Sequence, residues 1–231
     1  MNIIRGVDGC PAGWISVSVE VEGGTPSAKI YAEADALFRE SGVAVTAIDI
    51  PIGLPSAKAR ACDEEARRLL GPRKSSVFPA PVRATFVAES YEAACIASRT
   101  ACGKKLSKQT YAILPKIRDV DAFLRQSSEP SAVFEVHPEV CFYFWNARKP
   151  MSHPKKSGFG FVERLRLVEQ AFGAAAESVR QAIPRKAASD DDILDAFAAL
   201  WTARRIHANV AARVGSTDES DEHGLPMQMW A

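Results

Sequence analysis

No stretch of this chain is apolar for long enough to span a membrane or act as a secretory leader, so the sequence predicts a protein with no membrane partner. Cysteine is sparse: the five residues at 10, 62, 95, 102 and 141 are odd in number and contain no Cys-x-x-Cys pair. That argues against a disulfide scaffold or a structural zinc site, and for a reduced, cytoplasmic setting. Internal repeats and low-complexity tracts are missing too. Net charge is almost absent, at +1, but its distribution is uneven. From Ser56 to Arg118 there are 13 Lys or Arg against 5 Asp or Glu, while the remainder of the chain carries 16 against 23. The basic stretch suits either a polyanion or an ordinary solvated helical face.

What is present is a globular composition, 47% apolar and 25% charged over 231 residues, a length that fits one domain (1–231) carrying a substantial insertion. Residues 3–8, 14–21 and 27–32 alternate or cluster apolar side chains over strand lengths, with Gly-bearing turns between them, which predicts a three-stranded meander. A short helix over 34–39 leads to a fourth strand at 43–49, nearly all apolar and therefore expected to be parallel and buried. From 56 to 126 the pattern turns helical, interrupted by a Pro-rich loop at 71–81. A fifth strand is expected at 132–136, then helices over 160–172 and 174–183, and a last long helix from Ser189 to about residue 210. This order predicts an α/β, ribonuclease H-like fold. Its mixed five-stranded sheet has three antiparallel strands plus two parallel, flanked by helices, with a helical insertion (56–126) between strands four and five.

In that architecture strand one, strand four and the last helix approach one end of the sheet, and each carries aspartate. Asp8 ends the first strand and precedes Gly9. Asp49 ends the fourth and precedes Ile50-Pro51. Asp192 and Asp195 lie three apart in the last helix and so share a side of it. Asp8-Gly9 is also ordinary turn chemistry, and Ser189 with Asp192 can form a capping box. Asp190 and Asp191 are best explained by their favourable place in a first helical turn. An isolated acid ending a buried strand, as at Asp49, has no such local reason. Two-metal hydrolysis needs several carboxylates around its cations, and Asp8, Asp49, Asp192 and Asp195 are the right kind and number to hold Mg²⁺ or Mn²⁺.

A second polar cluster, Glu135-Val136-His137-Pro138-Glu139, ends the fifth strand. Alternation places Glu135 and His137 on one face, as candidate accessory ligands or proton-transfer groups. In the insertion, Arg60 and Arg67 on a helix, then Arg73, Lys74, Ser75, Ser76 and Arg83, are donors suited to phosphate; an ion-pair ladder explains them equally well.

Several segments together resemble the domain of unknown function 429 family, usually described as predicted ribonuclease H-like nucleases. They are Gly6-Val7-Asp8-Gly9-Cys10 to Gly13-Trp14, Ile48-Asp49-Ile50-Pro51-Ile52-Gly53-Leu54-Pro55, Ser75-Ser76-Val77-Phe78 to Pro81-Val82-Arg83, Glu135 to Glu139, and Asp191-Asp192-Ile193-Leu194-Asp195-Ala196. Asp192-x-x-Asp195-Ala196 also looks like the final-helix acids of Holliday-junction resolvases, whose fourth-strand acid is typically Glu where this chain has Asp49. The resemblance implies a metal-dependent nuclease acting on DNA or RNA. Two other expectations stand beside it. One is a nucleic-acid-binding protein without turnover. The other is a phosphoryl-transfer enzyme of the sugar kinase/ATPase class, which shares the strand-end Asp-Gly turn but needs a second domain with Gly-rich loops. Oligomeric state stays open, homodimer included.

Overall fold

The computed structural model describes residues 2–126, 132–215 and 218–231. They divide into two compact units, Met1–Ile50 with Ser131–Ala212 and Trp230–Ala231, and Pro51–Pro130 with Arg213–Met229.

The first unit is built on a sheet. In chain order its strands and first helix are β1 (Ile3–Cys10), β2 (Gly13–Glu20), β3 (Ser27–Tyr31), α1 (Ala34–Phe38) and β4 (Val43–Ile48). After the second unit's helices α2 (Ala61–Leu70), α3 (Tyr91–Cys102) and α4 (Lys108–Gln126), β5 (Val133–Glu135) completes the sheet. The spatial order is β3-β2-β1-β4-β5. β1 pairs antiparallel with β2, and β2 with β3, whereas β1–β4 and β4–β5 are parallel. This is the ribonuclease H-like arrangement that the strand and helix pattern predicts. Gly13, at φ +121°, makes the tight β1–β2 turn; a Cβ there would lie 2.2 Å from the Tyr31 carbonyl oxygen.

Four helices follow β5: α5 (Pro138–Trp145), α6 (Gly158–Phe172), α7 (Ala175–Ala182) and α8 (Asp190–His207). α8 packs against β1, β2 and β4. The approach is close because both partners lack bulk: Ala196, Ala198 and Ala199 are fully buried, and a Cβ on Gly6 would meet Leu200 N at 2.0 Å and Ala196 O at 2.2 Å. Alternation along β1 then puts Asp8 on the face that α8 covers, the face of Ile4 and Gly6. Arg5 goes to the opposite face, where it is buried on Thr46 (2.9 Å) and Glu40 (3.1 Å).

Helix α5 is absent from the sequence expectation, which ends the fifth strand in a polar cluster and has no helix between that strand and residue 160. β5 is three residues long, and Pro138 at the first helical position turns the chain straight into α5. Val140, Phe142 and Trp145 carry modest helix propensity, so the element owes its existence to packing. Trp145 stacks on Trp201 of α8 with centroids 5.0 Å apart.

The second unit holds α2, α3 and α4. The Pro-rich segment expected as loop starts with a 3₁₀ turn at Gly71–Ser76, and another spans Arg83–Val87. Two buried acids organise this unit. Asp63 pairs with Arg60 (2.6 Å) and accepts from Ala80 N (2.9 Å). Asp221 accepts from the N–H groups of Leu54, His223 and Leu225 and pairs with Arg83. Among the described residues no helix is long and apolar enough to cross a membrane.

Candidate metal centre

The register of the sheet brings Asp8 and Asp49 side by side: Val7 pairs with Ile48, and Asp49 N, just past the end of β4, donates to the Val7 carbonyl at 2.9 Å. Asp8 does not end its strand as expected. β1 continues to Cys10, with Asp8 opposite Ile15, so Asp8-Gly9 is strand and not turn, although Asp8 Oδ1 accepts from Gly9 N at 2.7 Å. The close seat of α8 on Gly6 delivers Asp192 and Asp195 to the same place. Asp192 also completes the capping box: its Oδ2 accepts from Ser189 N (2.8 Å), while Ser189 Oγ accepts from Asp192 N (3.3 Å). Capping and membership of the cluster are therefore not alternatives.

Electrostatics shows how tightly these groups share one field. Burial and then the charges of Asp49, Asp195 and Asp192 push the Asp8 carboxyl well above the carboxylate range. Burial also raises Asp49, against the pull of His137 and Lys155. Asp195 is pushed up to about 6 by burial, with Asp49 and Glu139 adding to the rise and Lys155 opposing it. In effect, burial and like charge outweigh the positive charge that Lys155 brings to these acids.

Other predicted residues separate into two groups. His137 occupies the N-cap position of α5, without a side-chain capping bond, and its charge acts on Asp49, so it belongs to the cluster. Glu135 does not share its face. Phe134 and Val136 pack into the core with the α8 residues, which leaves Glu135 buried on the opposite side of the sheet. β5 ends at Glu135, and His137, still extended, is the N-cap residue from which α5 departs at Pro138.

In the second unit, Arg60 is 1% exposed and its guanidinium is bound to Asp63, Ile52 O and Gly53 O. Arg67 ties Lys74 O (2.9 Å) and Val77 O (2.5 Å), and Arg83 sits between Asp121 and Asp221. These three arginines hold backbone and buried acids, a role that favours the ion-pair explanation of their spacing. Lys74 and Ser75 are exposed on the 3₁₀ turn, with Arg73 and Ser76 half-buried beside them.

Two cluster residues escape sequence reasoning. Lys155, in the loop before α6, places Nζ 2.7 Å from Asp195 Oδ2. Glu139, in the first turn of α5, is 5% exposed. Arg164 Nε donates to its Oε1 at 2.9 Å, and its Oε2 is buried with no hydrogen-bond partner among the described residues. A buried carboxylate oxygen in that state calls for a missing partner such as a cation. Pro138 at a helix start was a usable signal for Glu139; Lys155, in a polar loop without periodicity, offered none.

A donor set of carboxylate oxygens, deficient in positive charge and including an orphaned buried oxygen, fits a hard divalent cation. Asp8, Asp49, Asp192 and Asp195, which act on one another electrostatically, are the candidates that could hold it.

Residues 6–220 match the family described as "Protein of unknown function (DUF429)". The chain belongs to the DUF429 family. The match contains all four cluster aspartates, His137, Glu139 and Lys155. No curated protein and no solved structure matches the chain.

Proposed function

We propose that this DUF429 protein is a Mg²⁺- or Mn²⁺-dependent phosphodiesterase acting on nucleic acid. The observation that carries this reading is Asp8: a buried carboxylate near the end of β1, forced well above its ordinary pKa by burial and by three neighbouring aspartates. Such a concentration of like charge is unfavourable in the free protein and becomes favourable once a divalent cation enters. Bound there, the metal supplies Lewis-acid polarisation of a phosphoryl group and acidifies water near neutral pH. Asp8 and Asp49 form the strand side of the site, and Asp192 and Asp195 the helix side. His137, half-buried against Asp49, is positioned to carry a proton. Cations exposed on the second unit, Lys74 among them, are the remaining candidates for contact with a phosphate backbone.

The test is a panel of single-stranded, duplex, hybrid and branched DNA and RNA incubated with the protein in Mn²⁺, beside Asp8→Asn. Cleavage by the wild type and its loss in a folded Asp8→Asn variant are expected. Equal cleavage by both would sink the mechanism. Salt-sensitive binding without turnover would favour a binding protein instead.

A further inference from the structure

Lys155 is a built part of the acid cluster. Its Nζ contacts Asp195 Oδ2 at 2.7 Å although the side chain is 41% exposed. A lysine ammonium keeps its charge well above neutral pH, so a cation is seated on one of the four aspartates.

The loop carrying it is tied at every turn. Ser152 N and His153 N donate to the Glu163 carboxylate at 2.8 and 3.1 Å. Ser157 turns back on the Pro154 carbonyl, through Oγ at 2.7 Å and N at 2.9 Å. Arg164 Nη1 reaches His153 O at 3.3 Å, and the same guanidinium holds Glu139. Gly160 lies so close beneath that a Cβ would sit 2.0 Å from Pro154 O. A solvent-facing lysine on an ordinary loop needs none of this.

The positive charge is placed unevenly. Asp195 already has an ammonium, a compact point charge with three donors. Among the described residues Lys155 makes no such contact with Asp8, Asp49 or Asp192, and the buried Oε2 of Glu139, whose charge acts on Asp195, has no hydrogen-bond partner. We propose that Lys155 stands in for the second cation of a two-metal site, so that the cluster takes a single divalent cation on Asp8, Asp49 and Asp192. Asp195 is then neutralised by a group that cannot dissociate, and the site is half-assembled at any metal concentration. This rests on the metal reading above.

The experiment is a titration of the full chain with Mn²⁺, read by electron paramagnetic resonance as ions bound per chain, for the wild type and for Lys155→Met. Lys155 is half-buried in a loop outside the apolar core, and a cooperative thermal melt checks that the variant stays folded. One Mn²⁺ per chain is expected in the wild type and two in Lys155→Met. Two in the wild type, or one in the variant, overturns the substitution of lysine for metal while leaving the metal centre standing. No bound Mn²⁺ in either protein overturns the metal centre itself, and this inference with it.

Discussion

Asp195 shows what the cluster does to a single group. Its carboxyl is raised from 3.8 to about 6, so the folded protein binds a proton that the unfolded chain has already released. The stability this contributes is complete below about pH 4 and is lost as pH rises through about 6. Asp8 and Asp49 are shifted in the same direction. In chelator, the wild type is therefore expected to melt lower at about pH 7.5 than at about pH 5.5. Asp8→Asn, which removes one of the mutually repelling charges, should lose less across that interval, and Mn²⁺ should restore the wild type at the higher pH. Calorimetric melts at the two pH values check this; a wild type that gains stability over the interval contradicts it. Asp8 and Asp49 were legible because acids at the close of apolar runs stand out. Lys155 was not, since nothing local distinguishes a loop lysine, and Glu139 had only Pro138 before it as a signal.

At the scale of elements, the site depends on how near α8 comes to β1. Gly6 has no conformational peculiarity that demands glycine; it is required because the helix backbone lies where a side chain would be. Gly6→Ala should cost at least about 3 kcal/mol, or prevent folding, because the contact is backbone on backbone and cannot be relieved by a rotamer change. Urea denaturation measures this, and an unchanged midpoint would show that the packing is softer than described. The helix boundaries of α8 were readable from Ser189 and its acids. Helix α5 was not, because a short run rich in aromatics carries no helical period of its own and forms against Trp201 and its neighbours.

For the whole molecule, net charge says little and its placement says more. In the second unit, Arg60, Arg67 and Arg83 are committed to internal partners, while Lys104 and Lys105 line a cavity of about 480 Å³ together with Lys58 and Leu106. If the second unit contacts nucleic acid, the free lysines and not the arginines should carry the effect. Replacing Lys104 and Lys105 by Ala is expected to weaken binding and reduce its salt dependence, with the melting temperature unchanged. Arg83→Ala, which leaves Asp121 and Asp221 without their shared cation, should instead lose about 3–5 kcal/mol of stability. Binding isotherms at two salt concentrations, set beside melts, separate the two; equal loss of binding in both variants would return the arginine to the binding surface.

By itself the sequence determined the strand order, the helical interruption and the candidate acids, because period-two and period-3.6 patterns and turn residues are local signals that need no partner. Tertiary structure alone decided the rest. It chose which face each acid takes, setting Glu135 apart from Asp8. It consumed the insertion's arginines in buried pairs, and it brought Lys155 across 40 residues of chain to Asp195. Those outcomes depend on register, on the depth at which α8 sits and on charge meeting charge at a distance in sequence. No short-range pattern encodes such relations, since they arise only when separate elements share one core.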